Sequence, residues 1–164
     1  MTNEEFHNFY NQNIEKVFRF LYLRTNSFES AQDLAIESFF KFWLSSENGQ
    51  KIENPRAFLF KIAKNVLIDF YRKKKDTHLS LDELKEKGFE IPQNDFLKEL
   101  EQDEEIKNIL KTLQEIKPIY REVILLHYLE NLSIKEISFI LKKKENNIRV
   151  LLHRALEALK DKLF

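Results

Sequence analysis

Residues 116–163 read IKPIYREVILLHYLENLSIKEISFILKKKENNIRVLLHRALEALKDKL, and the punctuation of this stretch decides the fold. Pro118 opens a helix, to about residue 130, that should turn Val123, Leu126 and Leu129 inward. Asn131-Leu132 breaks it. Ser133 and Glu136 stand at capping-box spacing, so the next helix runs from Ile134 to Leu141. Lys142-Lys143-Lys144 makes a short turn, and a longer helix follows over residues 145–162. A short helix, a three-residue turn and a longer helix form the helix-turn-helix arrangement.

An α-helix turns about 100° per residue, and that step sorts the last helix into two faces. Ile148, Leu151, Leu152, Ala155 and Leu159 share the face that should pack on the two preceding helices. Asn146, Arg149, Val150 and His153 share the other, with Asn147 beside them and Arg154 at the edge. Asn and Arg offer paired hydrogen bonds that fit adenine and guanine edges. Lys142, Lys143 and Lys144 suit phosphates, which anchor position without reading sequence. Ordinary three-helix packing with a polar outer face would give the same pattern, and on spacing alone both readings stand.

Working back toward the N-terminus, every segment with strong periodicity is helical. Thr2 and Glu5 have capping-box spacing ahead of Phe6, Phe9, Tyr10, Ile14, Val17, Phe18, Leu21 and Tyr22. Residues 24–27 break that helix. A second runs from Phe28 to about Leu44, with Asn26 or Ser27 as its cap and Leu34, Ala35, Phe39, Phe42 and Trp43 apolar. Residues 45–50 form a polar loop. Asn54-Pro55 then starts a third helix, with a capping side chain followed by proline at the first helical position, and no breaker appears before about Lys75. Residues 76–95 hold Gly88 and Pro92 with little periodicity and read as a flexible linker. A helix resumes near Phe96.

The composition fits an all-α chain: two glycines and three prolines in 164 residues leave little for hairpin turns. With no cysteine there is no disulfide and no thiolate metal site, and a reducing cytoplasm is expected. The polar N-terminus does not read as a signal peptide, and no apolar run approaches the roughly 20 residues that span a bilayer. The zero net charge averages three unlike segments. Residues 1–75 carry +3, residues 76–105 carry −8 and residues 106–164 carry +5. Two basic bodies on an acidic tether suggest a polyanion partner, although solvated helix faces account for such charge equally well. His7, His78, His127 and His153 have no zinc-binding spacing, and no phosphate-cradling glycine loop is present. No cofactor, metal or catalytic machinery is expected, so the chain reads as no enzyme.

At residue level the chain resembles the extracytoplasmic-function sigma factors of bacterial RNA polymerase. Residues 120–128, 132–138 and 148–155 resemble their region four. Residues 33–43 look like the core-binding helix of region two, and residues 54–65 with Asp69 and Arg72 look like its promoter-melting helix. The linker stretch 79–84 is typical as well. Three features depart from the pattern. Ile36 stands where Gln is usual, Lys142-Lys143-Lys144 replaces a common Gly-Ile-Ser, and Leu151 takes a frequent Arg position.

The resemblance implies two small helical domains, 1–75 and 96–164, joined by the flexible acidic linker 76–95, the second domain being the helix-turn-helix. It implies a protein that binds core RNA polymerase through Asp33, Glu37, Phe40 and Lys41. Arg56, Lys61, Lys64, Asn65, Arg72 and Lys73 would contact the minus-ten strand beside the loop at residues 45–53, with Lys74 and Lys75 adding phosphate attraction. Lys142, Lys143, Lys144, Asn146, Asn147, Arg149, Val150, His153 and Arg154 would engage the minus-thirty-five duplex. An anti-sigma factor is a further partner that the family suggests. A stand-alone helix-turn-helix regulator would explain the C-terminal half, but not the 54–75 segment. A helical scaffold or inhibitor that merely shares the pattern is the third reading.

Overall fold

Thr2 Oγ1 accepts the Glu5 N–H at 3.1 Å while the Glu5 carboxylate accepts the Thr2 N–H at 2.7 Å. That reciprocal pair starts α1 (Asn3–Thr25) and holds the Glu5 carboxyl below its ordinary range, chiefly through the bond from the Thr2 backbone. Asn26, left-handed at φ 56°, ends α1, a conformation Asn tolerates better than most residues. Ser27 caps α2 (Phe28–Glu47), and Asn54 caps α3 (Pro55–Arg72) with Pro55 at its first turn. The computed structural model describes residues 1–73 and 102–164. The expected linker 76–95, its 79–84 stretch, Lys74, Lys75 and the expected helix start near Phe96 lie outside the described residues.

The chain divides into two compact units, Met1–Gln93 and Asn94–Phe164. In the first, α1, α2 and α3 pack on one another around an aromatic core. Phe18, Phe20, Phe39, Phe42 and Phe60 are fully buried. Phe9 stacks on Phe42 at 4.7 Å, Tyr10 meets Phe39 edge-on at 4.7 Å, and Phe20 meets Phe60 edge-on at 5.8 Å. Trp43 lies half-buried against Phe6, 4.7 Å away. Large rings in edge and offset contacts bring area burial plus about 0.5–1.5 kcal/mol per pair.

One boundary moves. α2 runs on through Glu47, so the polar loop begins at Asn48 rather than Ser45. The reason is a terminating motif: the Gly49 N–H donates to the Ser46 carbonyl and the Gln50 N–H to the Ser45 carbonyl, each at 3.2 Å. Gly49 takes φ 76°, which its missing Cβ permits, and so closes the helix one turn later than composition alone suggests.

In the second unit, Asp103 caps α4 (Glu104–Glu115) by accepting the Glu105 and Ile106 N–H groups, and its extended backbone interrupts the single helix expected over about residues 96–114. Pro118 opens α5 (Pro118–Ile124), which continues as one wide π turn over Leu125–Leu129. The Leu132 N–H bonds back to the Leu126 carbonyl at 3.0 Å, and the His127 Nδ1–H donates to the Leu132 carbonyl at 2.9 Å. Glu122, Val123, Ile124, Leu125 and Leu126 are buried consecutively, whereas Leu129, at the end of the wide turn, is only half-buried. The expected inward trio of Val123, Leu126 and Leu129 is corrected accordingly.

Ser133 and Glu136 form the capping box of α6 (Ile134–Leu141), and α7 (Glu145–Leu163) completes the unit. Among the described residues every regular element is helical, with seven α-helices in all.

The turn between α6 and α7 carries strain. Lys142 sits at φ 54°, ψ 45°, where a Cβ costs about 1–2 kcal/mol that glycine avoids. Lys144 occupies the N-cap of α7 with no side-chain bond to the free amides. The Ser138 hydroxyl, donating to the Lys143 carbonyl, supports the turn from α6. We therefore expect Lys142→Gly to stabilise the second unit by about 0.5–1 kcal/mol. Lys144→Ser should add about 1 kcal/mol by capping α7. Urea midpoints followed by far-UV circular dichroism check both, and an unchanged or lowered midpoint would contradict the strain.

Candidate nucleic-acid and polymerase interfaces

α7 sorts its side chains much as its sequence predicts. Ile148, Leu152 and Ala155 are buried, at 0%, 7% and 0% exposure, and α7 packs on both α5 and α6. Leu151 and Leu159, expected on the same face, are half-buried at its margins. Asn146, Asn147, Arg149, Val150, His153 and Arg154 are all exposed. The side chains of Asn146, Asn147, Arg149 and Arg154 make no hydrogen bond or ion pair with another described residue. That leaves their donors and acceptors available to an incoming surface. His153 is engaged by Glu157, with Nε2 3.3 Å from the carboxylate. Glu157, one turn further on, thus belongs to this outer face. It was legible at the i+4 spacing from His153, though a search for basic residues passes over it.

The three turn lysines are exposed beside the N-terminus of α7. Their charge and the free amides of that first turn together favour an anion. Leu151, half-buried, takes no place on the outer face.

α3 presents the second basic surface. Across Pro55–Arg72 and its C-cap Lys73 there are five basic residues against one acid, Asp69. Lys61, Lys64, Asn65 and Arg72 fall on one side, opposite the buried Leu59, Ala63, Val66 and Leu67. Asp69 lies 4.0 Å from the Arg72 guanidinium, a long and exposed pair of little energetic weight. Arg56 does not join this face. It lies in the first turn of α3, roughly 140° around the axis from Lys61, and like Lys61 and Lys64 it is half-buried, whereas Asn65 and Arg72 are exposed. Lys73 is exposed where the helix ends.

On α2, Asp33, Glu37, Phe40 and Lys41 follow one another at i, i+4, i+7 and i+8 and so form one stripe. Glu37 and Lys41 pair at 3.3 Å. Leu44, one turn beyond and 44% exposed, extends the stripe with an apolar residue that the sequence reading left out. Ile36, by contrast, is 1% exposed. It is a core residue, so this position offers no polar group to a partner.

Among the described residues no helix is long and apolar enough to cross a membrane, and no cluster of His, Cys, Asp and Glu could hold a metal ion.

The molecule therefore holds two helical units, one a helix-turn-helix with a polar outer face and the other presenting a basic helix. The family Sigma-70 region 2 matches residues 9–77, and Sigma-70, region 4 matches residues 106–159. The chain is 32% identical over 167 residues to the ECF RNA polymerase sigma factor SigM of Bacillus subtilis (strain 168), covering 98% of this chain and 94% of that protein. Its identity to SigW of the same strain is 28%, over 91% of this chain and 83% of the relative. The chain belongs to the ECF RNA polymerase sigma factors.

Among solved structures the fold is similar to the sigma factor RpoE in complex with the anti-sigma factor NepR from Bartonella quintana. The TM-score is 0.74 at 18% identity, over 98% of this chain and 97% of that one. CnrH in complex with the cytosolic domain of CnrY gives a TM-score of 0.65 at 18% identity, over 99% and 89%. As a sigma factor the protein binds core RNA polymerase and directs promoter-specific transcription initiation. Sigma factors are regulatory and non-catalytic, so bond-making in transcription belongs to the polymerase.

Proposed function

We propose a division of labour between the two units. Residues 1–75 engage core polymerase and the minus-ten element, residues 96–164 read the minus-thirty-five element, and residues 76–95 link them. The outer face of α7 carries this reading: four hydrogen-bonding side chains with no partner among the described residues, opposite a buried apolar face. Arg149 and Asn146 would read base edges in the major groove, with Asn147, Val150, His153 and Arg154 around them. Lys142, Lys143 and Lys144 would hold the flanking phosphates.

Lys61, Lys64, Asn65 and Arg72 on α3 would track the separated minus-ten strand, with Lys73 adding charge and Arg56 near the Asn48–Glu53 loop. A flipped base held beside that loop would supply sequence choice. Asp33, Glu37, Phe40 and Lys41 would dock on core polymerase. The Glu37–Lys41 pair is worth only a few tenths of a kcal/mol, so exchanging it for partner contacts costs little. We place the protein in the cytoplasm, with no catalytic activity of its own. The solved relatives are sigma factors held by anti-sigma factors, and we extend that class of partner to this chain.

Mixing the purified protein with bacterial core RNA polymerase on a genomic promoter library tests the reading. Promoter-specific transcripts that vanish when the chain is omitted are expected, and their alignment supplies the consensus. Absence of a stable complex with core would sink it and leave a stand-alone regulator.

A further inference from the structure

The outer face of α7 carries a carboxylate among its basic and amide side chains. By helical geometry Asn146, Val150, His153 and Glu157 fall within roughly 60° of one another. A carboxylate on such a face repels phosphates unless a neighbour engages it. The neighbour here is an imidazole: His153 Nε2 lies 3.3 Å from Glu157 Oε1, with the two side chains 76% and 64% exposed. Arg154 stands three residues before Glu157 and Lys160 three after it, a spacing that permits pairing. Neither lies within ion-pair distance of the carboxylate.

That contact decides where the imidazole proton sits. A neutral ring has one N–H donor and one lone-pair acceptor, and the partner of one nitrogen sets the role of the other. An Nε2–H at 3.3 Å points its hydrogen at the Glu157 oxygen, whereas an Nε2 lone pair there would set two negative poles against each other. Nε2 therefore holds the proton, and Nδ1 is left as an acceptor. Among the described residues nothing else engages the ring: no charged group of α4, α5 or α6 pairs with it, and neither Arg149 nor Arg154 bonds to it. In the major groove the donors are the amino groups of adenine N6 and cytosine N4, while guanine and thymine offer acceptors. An Nδ1 lone pair matches the first two and opposes the others.

We propose that Glu157 is a positioning residue that fixes the His153 tautomer, so that His153 Nδ1 accepts from an adenine or cytosine amino group in the minus-thirty-five element. The proposal rests on the reading of α7 as the duplex-reading helix and deepens it by assigning His153 a class of base edge. Without Glu157 the ring presents a donor to guanine as readily as an acceptor to adenine. The pair is weak while exposed, and a groove that expels water around it strengthens it.

The tautomer is read in the free protein from the nitrogen-15 shifts of the imidazole at about pH 8.5, above the range in which imidazoles titrate. His153→Ala identifies the resonances. Protonated Nε2 with unprotonated Nδ1 is expected, and the reverse tautomer or an even mixture overturns the proposal. The base class is read with the holoenzyme on duplexes in which each adenine or cytosine of the element is replaced in turn by its analogue lacking the amino group, purine or 2-pyrimidinone. One position should lose about five-fold in affinity, the scale of a single hydrogen bond, and that loss should vanish in His153→Ala. Glu157→Gln, whose amide oxygen still accepts from Nε2–H, should keep the loss, and Glu157→Ala should abolish most of it. Both changes remove the same negative charge, so equal behaviour of the two would reduce Glu157 to a charge effect and reject its positioning role.

If no amino deletion matters while Arg149→Ala still weakens the duplex, the proposal falls and the reading of α7 stands. If Arg149→Ala and Asn146→Ala also leave the natural duplex as tightly bound as before, the reading of α7 fails and the proposal with it.

Discussion

Arg149→Ala is expected to weaken holoenzyme binding to a duplex carrying the selected minus-thirty-five element by about 10- to 100-fold, the range for one bidentate base contact. Arg149 is exposed and makes no ion pair or hydrogen bond with another described residue, so its removal leaves no buried group unsatisfied. Folding stability should therefore stay within about 0.5 kcal/mol of the natural chain. Adding Asn146→Ala should bring specific binding near the non-specific level. Lys143→Ala should behave differently, weakening all duplexes alike and lowering the slope of log affinity against log salt by about one. Fluorescence anisotropy with the selected duplex and a scrambled one, across a salt series, separates the two patterns. An equal loss on both duplexes would make Arg149 a phosphate contact. No loss on either would remove α7 as the reading helix.

The largest stability effect is expected at Phe39. Its ring is fully buried, edge-on to Tyr10 at 4.7 Å and to Phe9 at 6.2 Å. Phe39→Ala should cost about 3–5 kcal/mol through lost burial and the cavity left behind. Small domains hold only about 5–15 kcal/mol in total, so the first unit would be left marginal or unfolded at 37 °C. The chain has one tryptophan, Trp43, packed on Phe6 in the same unit, so its fluorescence in urea reports on this unit. Binding to core polymerase should fall in proportion to the unfolded fraction. Phe28→Ala is the control. Its ring is 45% exposed and meets Phe18 edge-on at 5.2 Å, so about 1 kcal/mol is expected. A Phe39→Ala loss below that of Phe28→Ala would show that the aromatic layer closes around the gap.

Local chemistry made much of the fold legible. Thr2 with Glu5, Ser133 with Glu136 and Asn54-Pro55 each start a helix where their spacing predicts, because a cap satisfies amides within three residues and needs no distant partner. The division of α7 into an apolar and a polar face was legible for the same reason, since a regular period needs no knowledge of neighbours. The late end of α2 escaped notice because it depends on two weak backbone bonds around Gly49. The π turn at Leu125–Leu129 escaped because nothing in its run of apolar residues marks a change of pitch. Even polar residues defied their type: Glu122 and Glu130 are buried at 5% and 1% exposure.

The candidate sites divide along the same line. Which residues carry charge, and on which helical face, was readable from spacing. Which of them stand clear was not. Asn65 and Lys61 share one side of α3, yet Asn65 is exposed and Lys61 half-buried, and only the packing of the neighbouring helices decides that difference. Ile36 and Leu44 are both apolar residues of α2, but one is sealed in the core and the other open on the interface stripe.

By itself the sequence determined the starts of α1, α2, α3, α5, α6 and α7, the helix-turn-helix and the family, since these follow from short-range hydrogen bonding, a fixed helical period and motif order. The tertiary structure alone decided that Ile36 is core and that Leu44 is exposed. Exposure is set by whichever helix lies across a face, and that neighbour is chosen by contacts between residues dozens of positions apart.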